Sequence, residues 1–182
     1  MKIQKSWVLL ALVAVALAAI SFPLHRARAD GDARFQFNIT PAASGAPAAH
    51  SLAEDKSVIF IRGTGTFQPD DPEEVTGGGT WETQDSSGKV TGSGSWQPTR
   101  LVKWNLGPGA VSNPAVKGGL AFFQIKYSDG ARGMLAVSCF LPGAPPSVSE
   151  GIIASKDFIL YGGHVHTPPT FFVALSDSEN EK

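Results

Sequence analysis

A single cysteine, Cys139, excludes an internal disulfide framework and any multi-cysteine metal site. Charge is scarce as well: 17% of the residues are charged against 42% hydrophobic, so the chain is too apolar to be disordered and reads as one globular domain. A basic patch is missing. Lys2, Lys5, Arg26 and Arg28 supply four of the 15 basic residues and no acid precedes Asp30, which leaves 11 basic against 16 acidic side chains from Asp30 onward. That balance argues against a nucleic-acid partner. Reaction signatures are lacking too. Gly92-Ser93-Gly94-Ser95 does not have the spacing of a nucleophile elbow, and no helix pattern follows it. Cys139 lies in an apolar run, where a buried thiol is inert. Asp70, Asp71, Glu73 and Glu74 lack the spaced ligands of a calcium loop and read as a solvated acidic turn. No cofactor is implied.

The N-terminus carries an address. Residues 1–29 show the three parts of a secretory signal: Lys2 and Lys5, the apolar run Val8 to Ile20, and the small residues of Ala27-Arg28-Ala29. Cleavage is expected before Asp30, giving a secreted or periplasmic protein without stable membrane insertion. The competing reading is a retained anchor, because Trp7 to Leu24 approaches the ~20 residues that span a bilayer. Pro23 and the short apolar core favour the signal.

After residue 29, no long segment repeats apolar residues at helical spacing, and Gly or Pro interrupts almost every stretch. The expectation is therefore all-β. Runs of β-branched and aromatic residues bounded by turn residues occur at Arg34 to Ile39, Ser57 to Phe67, Gly79 to Gln84, Lys89 to Trp96, Arg100 to Trp104, Gly119 to Tyr127, Gly133 to Phe140, Gly151 to Tyr161 and Thr170 to Leu175. Asp129-Gly130 tolerates positive φ and predicts a tight hairpin, and Asp85-Ser86-Ser87-Gly88 predicts a longer one. Phe122 and Phe123 point to opposite faces of their strand, which calls for apolar cover on both sides or for a lipid or partner contact.

A meander of about eight strands closes most economically into a single antiparallel up-and-down β-barrel, removing exposed edges. The expected organisation is a signal peptide at 1–29, an arm or linker at 30–56, a barrel domain at 57–175 and an acidic tail at 176–182. Within the arm, Pro41 to His50 reads as linker, and Ser51 to Glu54 has capping-box spacing for one helical turn. Pro-rich Gly107 to Lys117 and Pro142 to Ser149 read as long loops over one end. A membrane barrel is set aside, because several strands are short and Gly92 to Ser95 offers no lipid face. The alternating glycines Gly63, Gly65, Gly92 and Gly94 let a neighbouring layer approach, mark bends of the wall, or leave room for a bound molecule.

Trp81, Trp96, Trp104, Phe60, Phe67, Phe122, Phe140, Phe158 and Tyr161 lie on predicted strands and either fill a core or line a hydrophobic cup. Of these, Trp81, Trp96, Trp104, Phe60, Phe122 and Tyr161 form the expected wall, with Arg62 and Glu82 as polar groups to orient a guest. His164 and His166, two residues apart on an extended segment, face one way with the spacing of two imidazoles on one metal ion. Only His50, Glu150 and Asp157 stand out as further ligands; without one, the pair are histidines of a surface or pocket rim. Asn38-Ile39-Thr40 is a glycosylation acceptor in a eukaryotic source.

An exported meander of about eight short, Gly-studded strands over residues 57–175 resembles the barrels of the allene oxide cyclase and dirigent group, and more distantly the lipocalins. Gly79-Thr80-Trp81 is similar to the lipocalin Gly-x-Trp signature, although that signature opens the first strand and here some fifty residues of the exported chain precede it. The resemblance implies a hydrophobic barrel cavity, sometimes used to steer a reactive intermediate, and brings no catalytic residues. The expected function is binding of a small, largely apolar molecule in the lumen. The alternatives are a cyclase- or isomerase-like enzyme with Arg62 or Glu82 turned inward, and a structural or interaction module with a filled core. Self-association stays open.

Overall fold

Strand-forming residues organise nearly everything that the computed structural model describes, namely residues 33–41, 45–165 and 169–176. The elements are β1 (Arg34–Ile39), β2 (Ala49–Leu52), β3 (Val58–Gln68), β4 (Asp71–Val75), β5 (Gly78–Gln84), β6 (Val90–Leu106), β7 (Val116–Lys117), β8 (Gly119–Tyr127), β9 (Arg132–Cys139), β10 (Gly151–Lys156), β11 (Ile159–Tyr161), β12 (Gly163–His164) and β13 (Thr170–Leu175). All pair antiparallel in one sheet of order β11-β10-β9-β8-β6-β5-β3-β1-β13-β7, with β2 and β4 on β3 and β12 on β2. From β3 to β11 the main path is a meander, and β1 returns to lie between β3 and β13.

Turn chemistry sets the hairpins. Gly130 takes φ +94° between β8 and β9, and the Asp129 carboxylate accepts from the Ala131 N–H at 3.1 Å, as the Asp-Gly pair predicts. Asp85 accepts from the backbone of Ser87 and Lys89 in the β5–β6 loop, and its hydrogen bonds, that from the Ser87 hydroxyl foremost, lower its pKa. The run Gly151 to Tyr161 is a hairpin rather than one strand, turned at Asp157, which holds φ +51°. The two runs Lys89 to Trp96 and Arg100 to Trp104 are one strand, β6, because bulges after Pro98 and Leu101 absorb the proline without ending the pairing with β8. Ser51 to Glu54 is not a helical turn: Ala49, Ser51 and the residues between pair with Ile59 to Ile61 of β3 as β2.

The barrel expected from the sequence does not close. No ladder joins β11 to β7, the two ends of the sheet. The sheet coils far enough for β13 to reach β9, yet that seam is stitched by side chains: the Thr170 hydroxyl donates to the Ser138 carbonyl at 2.5 Å and the Thr170 N–H to Glu150 Oε1 at 2.8 Å. At its other end β13 is followed by β7, through Phe172–Lys117 and Val173–Val116.

The concave face is a solid core, not a cup. Phe37, Phe67, Phe123, Phe172 and Trp96 are fully buried, and their rings meet directly: Phe37 and Phe123 at 5.0 Å between centroids, Trp104 and Phe172 at 4.7 Å, Phe67 and Trp104 at 5.2 Å. Each such ring contributes about 1.5–3 kcal/mol by leaving water. The alternating glycines serve these rings. A Cβ on Gly63 would stand 2.6 Å from the Trp96 ring, one on Gly65 2.7 Å from Phe37, and one on Gly92 3.1 Å from Trp81. The space that glycine leaves is filled by the protein's own aromatics.

Candidate functional site

Strand alternation divides the expected wall into two groups. Trp81, Trp96 and Tyr161 are buried in the core, and Trp104 packs against it between Phe35, Phe67 and Phe172. Phe60, Arg62, Glu82 and Phe122 occupy the opposite, outer face. The indoles are also polar ties within the core: Trp96 donates to the Arg62 carbonyl at 2.9 Å and Trp81 to the Ser95 carbonyl at 3.1 Å. Phe158, a further candidate, stands fully exposed on the β10–β11 turn. His164 lies on β12 opposite Ser51; its side chain and the whole of His166 are outside the described residues. Among the described residues no three His, Cys, Asp or Glu converge on one point. The His50 ring lies tilted against Phe60 with centroids 5.2 Å apart, Glu150 holds Thr170, and the Asp157 carboxylate accepts from the Arg132 N–H.

Two clefts open on the outer face, each of about 460 Å³. The first crosses β3, β5 and β6 and gathers Phe60, Arg62, Thr80, Glu82, Gln84 and Ser93. It is polar and largely self-satisfied. Arg62 donates to the Thr40 and Ala46 carbonyls at 2.8 and 2.6 Å, pinning the chain that precedes β2, and Glu82 accepts from Gln84 at 2.7 Å. A cyclase-like chemistry asked for one of these charges inside the core; both face outward.

The second cleft is apolar. Its floor consists of two cross-strand rows set by register: Asn105, Leu120, Ser138 and Gly151, and beside them Phe122, Ala136 and Ile153 on β8, β9 and β10. Side chains in such rows stand about 4.5–5.5 Å apart, so the floor is continuous. Gly107 and Pro108 close one flank, and Ser147 to Ser149 of the proline-rich loop after β9 form the roof. That loop is held down by the Ser138 hydroxyl, which donates to the Ser149 carbonyl at 2.5 Å. Gly151, at φ +134°, lets the chain turn from the roof into β10 without a side chain blocking the floor.

Of these residues, sequence reasoning singled out Phe122 from the Phe122-Phe123 pair and the loop Pro142 to Ser149. It missed Leu120, Ala136 and Ile153. The signal was present in Ile152-Ile153, a second adjacent apolar pair on what proves to be the neighbouring half of the same surface: Ile152 is buried and Ile153 is 37% exposed.

The groove is not equipped for covalent or acid–base work. Its one ionisable wall residue is Cys139, whose thiol is pushed up to about 12, chiefly by burial and further by the Glu150 carboxylate. A thiol so placed stays protonated and unreactive. What remains is shape and a largely apolar surface. Comparison with protein-family models, with curated proteins and with solved structures finds no match to this chain, so the geometry of these clefts carries the functional argument.

Proposed function

We propose that this is an exported binding protein for a small, largely apolar molecule, held not in the filled interior but in the groove between the outer face of β8–β10 and the loop 142–150. The three-part N-terminal segment supports export. One observation carries the binding site: Leu120, Phe122, Ala136 and Ile153 form an apolar floor on the side of a sheet that normally faces water, under a proline-rich roof. The volume matches the 300–1,000 Å³ of ordinary small-molecule sites.

A neutral fluorescent probe, N-phenylnaphthylamine, tests this. The full chain should enhance its emission with a saturable, single-site curve, and Phe122→Ser should weaken binding about tenfold or more, the loss expected from one large apolar contact. Probe binding unaffected by Phe122→Ser, or no saturable binding, would contradict the proposal. A second reading, an interaction module, draws on the exposed Phe158, Ile159 and Leu160 at the unpaired edge of the sheet. It predicts that Phe158→Ser changes association state and leaves probe binding intact.

A further inference from the structure

The apolar groove has one asymmetric feature, and it lies at the β6 end. Strand β6 bulges between Leu101 and Lys103, which places Leu101 inward opposite Phe123 and Lys103 outward directly opposite Phe122. The Lys103 side chain is exposed, and among the described residues it has no ion-pair or hydrogen-bond partner. The neighbouring cation behaves differently: Arg100, on the same strand, is paired with Glu73 at 2.5 Å. Two residues beyond Lys103, Asn105 contributes its amide to the same end of the floor, opposite Leu120. At the far end, among the described residues, the lining carries no charged side chain: Ile153 and Val148 border the groove there with Ser147 and Ser149, the Ser138 hydroxyl is engaged by the Ser149 carbonyl, and Glu150 accepts from the Thr170 N–H. The groove's own lining begins at the Asn105 amide and crosses Phe122 and Ala136 to Ile153, and Lys103 stands just outside that lining, beside Phe122 on the bordering strand. The groove's length, three strand spacings, is about 14 Å.

The geometry points to a single-headed anionic amphiphile as the occupant: an unbranched or flat apolar body lying across β8 and β9, with a carboxylate, sulfonate or phosphate head beside Lys103 and Asn105. This rests on the groove being the binding site and adds its polarity and direction. The roof formed by Ser147 to Ser149 commits the site to single molecules rather than to a bilayer surface, since a membrane cannot pass beneath a loop. An anion at Lys103 gains a charge-assisted hydrogen bond at a half-open rim, which discriminates between heads while the floor binds the tail regardless of head.

Titration of the full chain with laurate and dodecyltrimethylammonium below their micelle concentrations, and with dodecanol below its solubility limit, separates the two claims. Laurate should bind about tenfold more tightly than dodecanol, and the cationic amphiphile most weakly. Lys103→Met should remove the advantage of laurate and leave dodecanol within about twofold, and Lys103→Arg should restore it. Because Lys103 is exposed and makes no contact the fold needs, these variants fold; unchanged circular dichroism confirms it. Equal affinity for laurate and dodecanol, or a laurate preference that survives Lys103→Met, overturns the amphiphile inference and leaves the groove intact. No binding by any of the three amphiphiles overturns both. Binding to anionic phosphatidylglycerol vesicles without binding of monomeric laurate overturns the inference in favour of a membrane contact.

Discussion

Cys139 sits at the junction of core and groove, and its thiol links burial to pH. Burial, with the Glu150 carboxylate adding to it, raises the pKa from an ordinary value of 9.0 to about 12. A raised folded-state value means the folded protein holds the proton more tightly than the unfolded chain does. The stability tied to this is complete below about pH 9 and is lost as pH climbs toward about 12. Burial moves the Tyr127 and Tyr161 phenols up from an ordinary value of 10.0, so they add to the loss once pH passes about 10. The urea midpoint should therefore be flat from neutral pH to about 9 and then fall, with Cys139→Ala flattening the first part of the fall. A midpoint that drops equally in the variant would contradict the assignment. The buried Asn38 shows the same discipline of single residues: at 6% exposure and with its carbonyl oxygen accepting from Gln36 and Thr64, it is not presented as a glycosylation acceptor in the folded protein.

Elements with strong alternation and explicit turns were legible in the sequence, and those with neither were not. β1, β8 and β13 have the bounds that their β-branched and aromatic runs predict, and Asp129-Gly130 makes its hairpin. β4 was hidden because its residues, Asp71 to Val75, are mostly acidic; they pair with Phe67 and Gln68 of β3 as an exposed flap, tethered by Arg34–Glu74 and Arg100–Glu73. β2 was hidden because Ala49-His50-Ser51-Leu52 has little strand propensity and owes its conformation to the edge of β3. Closure of the sheet could not be read from strand count, since it depends on whether the two end strands pair, and β11 and β7 do not. The seam offers a test. Thr170→Val removes the hydroxyl that donates to the Ser138 carbonyl at a site only 2% exposed, and should cost about 1 kcal/mol in urea unfolding. The loss should appear as faster hydrogen exchange confined to β9 and β13. Uniform acceleration across β3 and β5 would show that the seam is not a separate unit.

At the scale of the whole molecule, aromatic rings pack the described interior, and the apolar groove lies on the outer face. The rings that a sequence reader would assign to a ligand wall pack on core aromatics instead, Trp81 on Tyr127, Trp96 on Phe37 and Trp104 on Phe172, and Gly63 and Gly92 make room for Trp96 and Trp81. Period-two alternation told which residues share a face, but not which face closes on itself. Phe122 kept its place among the candidate residues because its neighbour Phe123 already satisfied the core. The proline-rich loop after β9 then gives the outer face a roof, and the Lys103 rim gives it a direction.

The most direct measurement is an isotope-filtered NOE experiment on methyl-labelled protein saturated with dodecanol. Cross-peaks from the alkyl chain to Leu120, Val148 and Ile153, with none to Ile61, Leu135 or Val137, are what this account predicts. Cross-peaks to the second set would place the guest inside the sheet and contradict it.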